Sequence, residues 1–166
     1  MKYKLSKQAL DNAKLNIQEM KEHKIKLESF PFKLHIEPTQ KCNLDCKMCW
    51  DKRRRSKKEI DMKLYKKIEK ELFPYMSEVN FFLIGEPLLA KNLYEMISVV
   101  ENYSFLPKIF TNATVYSEKL FRKMIELGFF LNISMDSATK EKFEEIRKGA
   151  SYEKFVENIK KIKKLA

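Results

Sequence analysis

All three cysteines of the chain fall in one stretch, Pro38-Thr39-Gln40-Lys41-Cys42-Asn43-Leu44-Asp45-Cys46-Lys47-Met48-Cys49-Trp50, spaced C-x3-C-x2-C. A closed structural zinc site takes four protein ligands, and a ferredoxin-type cluster takes four cysteines. Three thiolates this close together, with no fourth in the sequence, instead suit a [4Fe–4S] cluster in which one iron has no protein ligand. That iron is free to bind a substrate or cosubstrate. Two other readings stand beside this one. Free cysteines are often small buried hydrophobes, although this does not account for their clustering. A Cys3His zinc site completed by His35 or His23 is the other.

The elements that must position this loop can be read from periodicity. Residues 6–26 form a predicted helix with Leu10, Ala13, Ile17 and Met20 on one stripe, lying outside whatever follows. Lys33-Leu34-His35-Ile36-Glu37 alternates as a short strand, and Pro38 stops it where the cysteine loop begins. Asp61 caps a helix to Phe73 with Leu64, Ile68 and Leu72 on its stripe, closed by Pro74. Val79 to Ile84 is a continuous apolar run, the pattern of a strand covered on both faces. Gly85-Glu86-Pro87 breaks it, and residues 88–103 form the next predicted helix. A third strand, Lys108 to Thr111, precedes a helix opened by Ser117 with Leu120, Met124 and Leu127 on its stripe and Gly128 as its C′ residue. A fourth strand runs from Phe129 to Met135, followed by helices over 139–148 and 152–165.

Strand–helix alternation without hairpin signals predicts right-handed crossovers and a parallel sheet, an α/β fold. Four polar segments follow the four strands: the cysteine loop, Gly85-Glu86-Pro87, Thr111-Asn112 and Asp136-Ser137. In parallel α/β folds this carboxyl edge is where ligands bind. The Phe81–Phe82 pair, Ile84 and Met135 are expected in the core.

At 166 residues and 44% hydrophobic content the chain can bury a globular core. It has no apolar run of membrane-spanning length and no signal-peptide pattern. An odd count of three cysteines argues against a disulfide framework and for a reducing cytoplasm. The net charge of +11 is partly local, in Lys52-Arg53-Arg54-Arg55-Ser56-Lys57-Lys58 directly after the cysteine loop. The rest is mostly lysine on helix faces, and no aromatic–basic RNA-binding motif accompanies it, so specific nucleic-acid binding is not expected. A basic rim beside a cluster would instead attract an acidic electron carrier or an anionic substrate.

From Leu34 to Lys161 the sequence resembles the radical S-adenosylmethionine (radical SAM) superfamily, particularly the branch with SPASM-type peptide maturases and related cofactor-synthesis enzymes. The likeness is collinear: the cysteine loop, Ile84-Gly85-Glu86-Pro87-Leu88, Thr111-Asn112-Ala113, Ile133-Ser134-Met135-Asp136 and Ile146-Arg147-Lys148-Gly149 match family motifs in order. The resemblance implies a partial (β/α) TIM-like barrel over 31–166, with 1–30 as an N-terminal helical extension. It implies that Cys42, Cys46 and Cys49 hold a [4Fe–4S] cluster whose fourth iron chelates S-adenosylmethionine (SAM). Gly85, Glu86 and Pro87 would meet the methionine ammonium, and Ser134, with Asp136 as a weaker candidate, the ribose. Arg147 would meet the ribose or the methionine carboxylate, and Met48 the adenine. Asn112 and Asp136 read equally well as turn or helix caps. The implied activity is reductive cleavage of SAM to a 5′-deoxyadenosyl radical that abstracts hydrogen from a peptide or small-molecule substrate. Electrons would come from a flavodoxin or ferredoxin.

Several positions depart from the pattern. Ile84 and Ala113 stand where the family has glycine, so a different local backbone is expected there. Met48 stands where an aromatic is common. The chain carries about four strand–helix units where the family barrel has six, and it lacks a cysteine-rich extension, which suggests a fragment of a longer enzyme or a truncated chain needing a partner. Oligomerisation through the uncovered edge is expected on the same ground. The rival reading is a non-catalytic iron–sulfur or zinc module that recruits a partner through its basic loop.

Overall fold

The computed structural model describes residues 4–49 and 57–166. The arginines and lysine of the basic run at 52–55, together with Trp50, therefore lie outside the described residues. Four strands, β1 (Lys33–His35), β2 (Glu78–Asn80), β3 (Leu106–Thr111) and β4 (Phe130–Ile133), pair in parallel in the order β1-β2-β3-β4. Helices α2 (Met62–Leu72), α3 (Leu93–Ser98), α4 (Glu118–Glu126), α5 (Lys140–Ile146) and α6 (Tyr152–Leu165) alternate with them, and α1 (Lys7–Lys21) precedes the sheet. This is the α/β partial barrel that the motif order implied. Among the described residues no helix is long and apolar enough to cross a membrane.

One face of the sheet carries the core. Val79, Phe81 and Ile109 are fully buried there against Phe73, Met96, Phe105, Phe121 and Met124 from the helical side. The opposite, concave face stays open. On it the Glu78 carboxylate takes an ion pair from Lys108 at 2.7 Å, and Phe82 packs on Phe110 with centroids 3.9 Å apart. The apolar run 79–84 therefore splits: Val79 and Phe81 enter the core, while Phe82 is half-buried on the concave face and Leu83 is 58% exposed. Met135, expected in the core, is also exposed.

The N-terminal helix buries the opposite of what its apolar stripe suggests. Ser6 caps it, accepting from Ala9 N at 3.1 Å, and its buried residues are Ala9, Asn12, Asn16 and Glu19. Leu10, Ile17 and Met20 face outward. The cause is backbone satisfaction, since buried amides require partners. The chain doubles back along α1, where Glu19 accepts from the amides of Glu28 (2.8 Å) and Ser29 (3.2 Å). Asn12 accepts from Phe30 N at 2.8 Å and donates to Phe30 O at 3.1 Å and Tyr75 O at 3.2 Å.

Two further elements differ from expectation. In α2, capped by Asp61, the buried residue is Tyr65 rather than Leu64, because the Tyr65 hydroxyl reaches Met96 O at 2.6 Å. The helix expected over 88–103 is broken into α3 and two 3-10 turns, Pro87–Leu89 and Val99–Asn102, with Ala90 extended between the first turn and α3.

Candidate functional site

The cysteine loop leaves β1 and is tied at three places. At its base, Gln40 N donates to Lys58 O at 2.9 Å and Ile60 N to Pro38 O at 3.1 Å. Midway, Lys41 O accepts from Glu86 N at 2.7 Å, at the turn after β2. Across its second half, Asp45 N donates to Lys148 O and Lys47 N to Ile146 O, both at 2.8 Å. The three cysteines consequently line one cavity of about 330 Å³, with Cys46 buried and Cys42 and Cys49 half-buried. The same cavity is lined by Met48, Gly85, Glu86, Asn112, Ser134 and Arg147. Pro87 opens the following 3-10 turn and is buried. Asp136 reaches the site through Arg147, its carboxylate 2.5 Å from Nε.

Gly85 is required here by close approach. A Cβ on it would lie 2.0 Å from Thr39 O and 2.8 Å from Lys41 O, both backbone atoms. The neighbouring Ile84 N donates to the Glu37 carboxylate at 3.0 Å. Ala113, in a glycine position of the family pattern, nevertheless keeps the left-handed conformation (φ 53), which costs an alanine about 1–2 kcal/mol. Three contacts hold it there. Ala113 N donates to Thr111 Oγ1 at 3.0 Å, Thr114 N donates to Asn112 Oδ1 at 2.9 Å, and Asn158 of α6 donates to Ala113 O at 2.9 Å.

Glu86 is buried, and its carboxylate accepts from Thr111 Oγ1 (2.7 Å), Asn112 N (2.8 Å) and Leu88 N (3.2 Å). It joins the ends of β2 and β3. Burial pushes its pKa above the usual carboxylate range, although these three donors and the Arg147 charge pull the other way. Ser134 is held at the end of β4 by its amide, which donates to Thr111 O at 3.0 Å. Met48 stands half-exposed at the cavity mouth.

Sequence reasoning missed several members of the site. Asn43 accepts from Asn112 Nδ2 at 3.0 Å and donates to Thr114 Oγ1 at 2.8 Å, binding the loop to the end of β3. Its position inside the cysteine motif was the only available signal. Phe82 and Phe110, whose rings pack with their planes tilted by 33°, form an apolar wall of the cavity. Neither histidine proposed for a zinc site joins the cysteines among the described lining residues. His35 instead sets its ring edge-on to Phe82 with centroids 5.6 Å apart. Among the described residues no set of three Cys, His, Asp or Glu side chains converges as it would around one metal ion. Three free thiols lining one cavity are soft donors of the kind that hold an iron–sulfur cluster.

The family model that matches residues 36–166 is that of the radical SAM superfamily. The chain belongs to this superfamily. Among its relatives, the tungsten-containing aldehyde ferredoxin oxidoreductase cofactor-modifying protein of Pyrococcus furiosus is 33% identical over 107 residues, covering 62% of this chain and 30% of the relative. The S-adenosyl-L-methionine-dependent 2-deoxy-scyllo-inosamine dehydrogenase of Niallia circulans is 30% identical over 134 residues, covering 74% of this chain and 53% of the relative. SuiB of Streptococcus suis, solved with S-adenosylmethionine, superposes with a TM-score of 0.73 at 21% identity over 94% of this chain and 36% of SuiB. SuiB has also been solved bound to its precursor peptide SuiA. The chain thus spans between about a third and about half of the length of these relatives.

Proposed function

We propose that the chain is the cofactor-binding part of a radical SAM enzyme, with Cys42, Cys46 and Cys49 as ligands of a [4Fe–4S] cluster and the adjoining cavity as the SAM site. The observation that carries this reading is the convergence of the three cysteines with Gly85, Glu86, Asn112, Ser134 and Arg147 on one cavity at the carboxyl edge of the parallel sheet. When bound, the cluster supplies the electron that cleaves SAM reductively to a 5′-deoxyadenosyl radical, which abstracts hydrogen from the substrate.

The chain's own residues bind and orient. The backbone around Gly85 and the Glu86 carboxylate offer acceptors to an ammonium group. Ser134 offers a hydroxyl to the ribose, with Asp136 beside it, and Arg147 a planar cation to a carboxylate or ribose oxygen. Asn112 fixes the strand end against the cysteine loop and borders the cosubstrate. Met48 covers the adenine side, and the Phe82–Phe110 wall keeps water from one flank of the cavity. The substrate is a peptide or a small molecule, and a flavodoxin or ferredoxin is the electron donor, in the reducing cytoplasm.

Anaerobic reconstitution with iron and sulfide, followed by EPR of the reduced protein with and without SAM, tests this. A [4Fe–4S]⁺ signal that changes on adding SAM is expected, and replacing any one of the three cysteines with serine should abolish it. Stoichiometric zinc without a cluster would overturn the reading.

A further inference from the structure

Cys46 and Arg147 face each other in a fixed register. The hydrogen bonds Asp45 N to Lys148 O and Lys47 N to Ile146 O, each 2.8 Å, bracket the two residues from either side. Arg147 cannot drift from this position, because its amide also closes the end of α5 by donating to Phe143 O at 2.8 Å. Its side chain is buried, and Nη1 lies 4.0 Å from Cys46 Sγ. The carboxylate in contact with it is Asp136, 2.5 Å from Nε and 32% exposed, while the buried Glu86 carboxyl feels the same charge from further off. That contact is an ion pair by distance but is not aligned as a hydrogen bond, so Nε is buried without a well-directed acceptor.

Resting on the cluster reading above, we infer that Arg147 is a positioning residue for the cluster itself: it sets the charge felt at Cys46, and Asp136 tempers it. A buried cation needs compensation, and a half-exposed carboxylate supplies only part of it. A thiolate bound to iron is a second anion within reach of the guanidinium. Positive charge and N–H groups near the sulfurs favour the reduced, more negative cluster and so raise its reduction potential. Arg147 and Asp136 therefore act on this potential with opposite signs, before any cosubstrate enters.

The test is an EPR-monitored redox titration of the reconstituted protein without SAM, comparing wild type with R147Q, R147K and D136N at measured iron and sulfide content. R147Q should shift the midpoint to more negative potential, R147K should restore most of the shift, and D136N should move it in the positive direction. A purely structural role would lower cluster content without this pattern of signs. An unchanged midpoint in R147Q at full cluster content overturns this inference while leaving the proposed function intact. If R147Q fails to fold, D136N decides: a shift to negative potential, or none, overturns it. A wild-type chain that takes up no cluster overturns the proposed function, and this inference with it.

Discussion

Asn43 Oδ1 accepts a hydrogen bond from Asn112 Nδ2 at 3.0 Å, so the residue that follows the first cysteine is fastened to the end of the third strand. Asn43 Nδ2 completes the tie by donating to Thr114 Oγ1 at 2.8 Å. Through these bonds the cysteine loop and the carboxyl edge of the sheet form one polar unit. Removing a partner from such a unit leaves buried polar groups unmatched and costs about 1–3 kcal/mol. Asn43→Ala should lower stability by that amount in urea unfolding. It should also reduce the iron bound after reconstitution, even though all three cysteines remain.

Gly85 admits no side chain, because the Thr39 carbonyl oxygen occupies the space of its Cβ at 2.0 Å. The opposing atoms are backbone and cannot rotate away. Gly85→Ala should destabilise the fold by well over the ~1 kcal/mol of an average substitution, or prevent soluble expression. Wild-type unfolding behaviour in this variant would show that the loop and the β2 turn separate in solution.

Burial raises the pKa of Glu86 above its ordinary value of 4.5, against the hydrogen bonds from Asn112 N and Thr111. The folded chain therefore holds that proton more tightly than the unfolded chain does. The resulting stabilisation is complete below about 4.5, the unfolded value, and is lost as pH rises through the folded value. The stability of wild type minus that of Glu86→Gln should consequently fall with rising pH across this window. A pH-independent difference would place the Glu86 carboxylate in contact with water.

Among the described residues β4 pairs only with β3, and the Phe130 side chain on it is 53% exposed. An unpaired strand edge beside apolar surface favours association. Sedimentation velocity at micromolar concentration should show this chain as a dimer or larger species, and a single monomeric boundary would count against it.

Sequence alone determined the chemistry and the order of the parts. The C-x3-C-x2-C spacing specifies three soft donors, and the alternation of apolar runs with helical stripes specifies parallel strands whose following turns share one edge. Only the tertiary structure decided which polar residues are enclosed. The stripe of Leu10, Ile17 and Met20 predicted one buried face of α1, yet Asn12, Asn16 and Glu19 are inside, because the returning backbone at 28–30 needed acceptors and donors there. Hydrophobic periodicity records apolar area but not the demands of a distant chain segment. The same limit hid Asn43, whose partners are about seventy residues away, and the opposition of Arg147 to Cys46, which rests on two backbone hydrogen bonds across a hundred residues of sequence. It also hid Ala113, which holds a glycine-like turn because Asn158 from the last helix anchors its carbonyl.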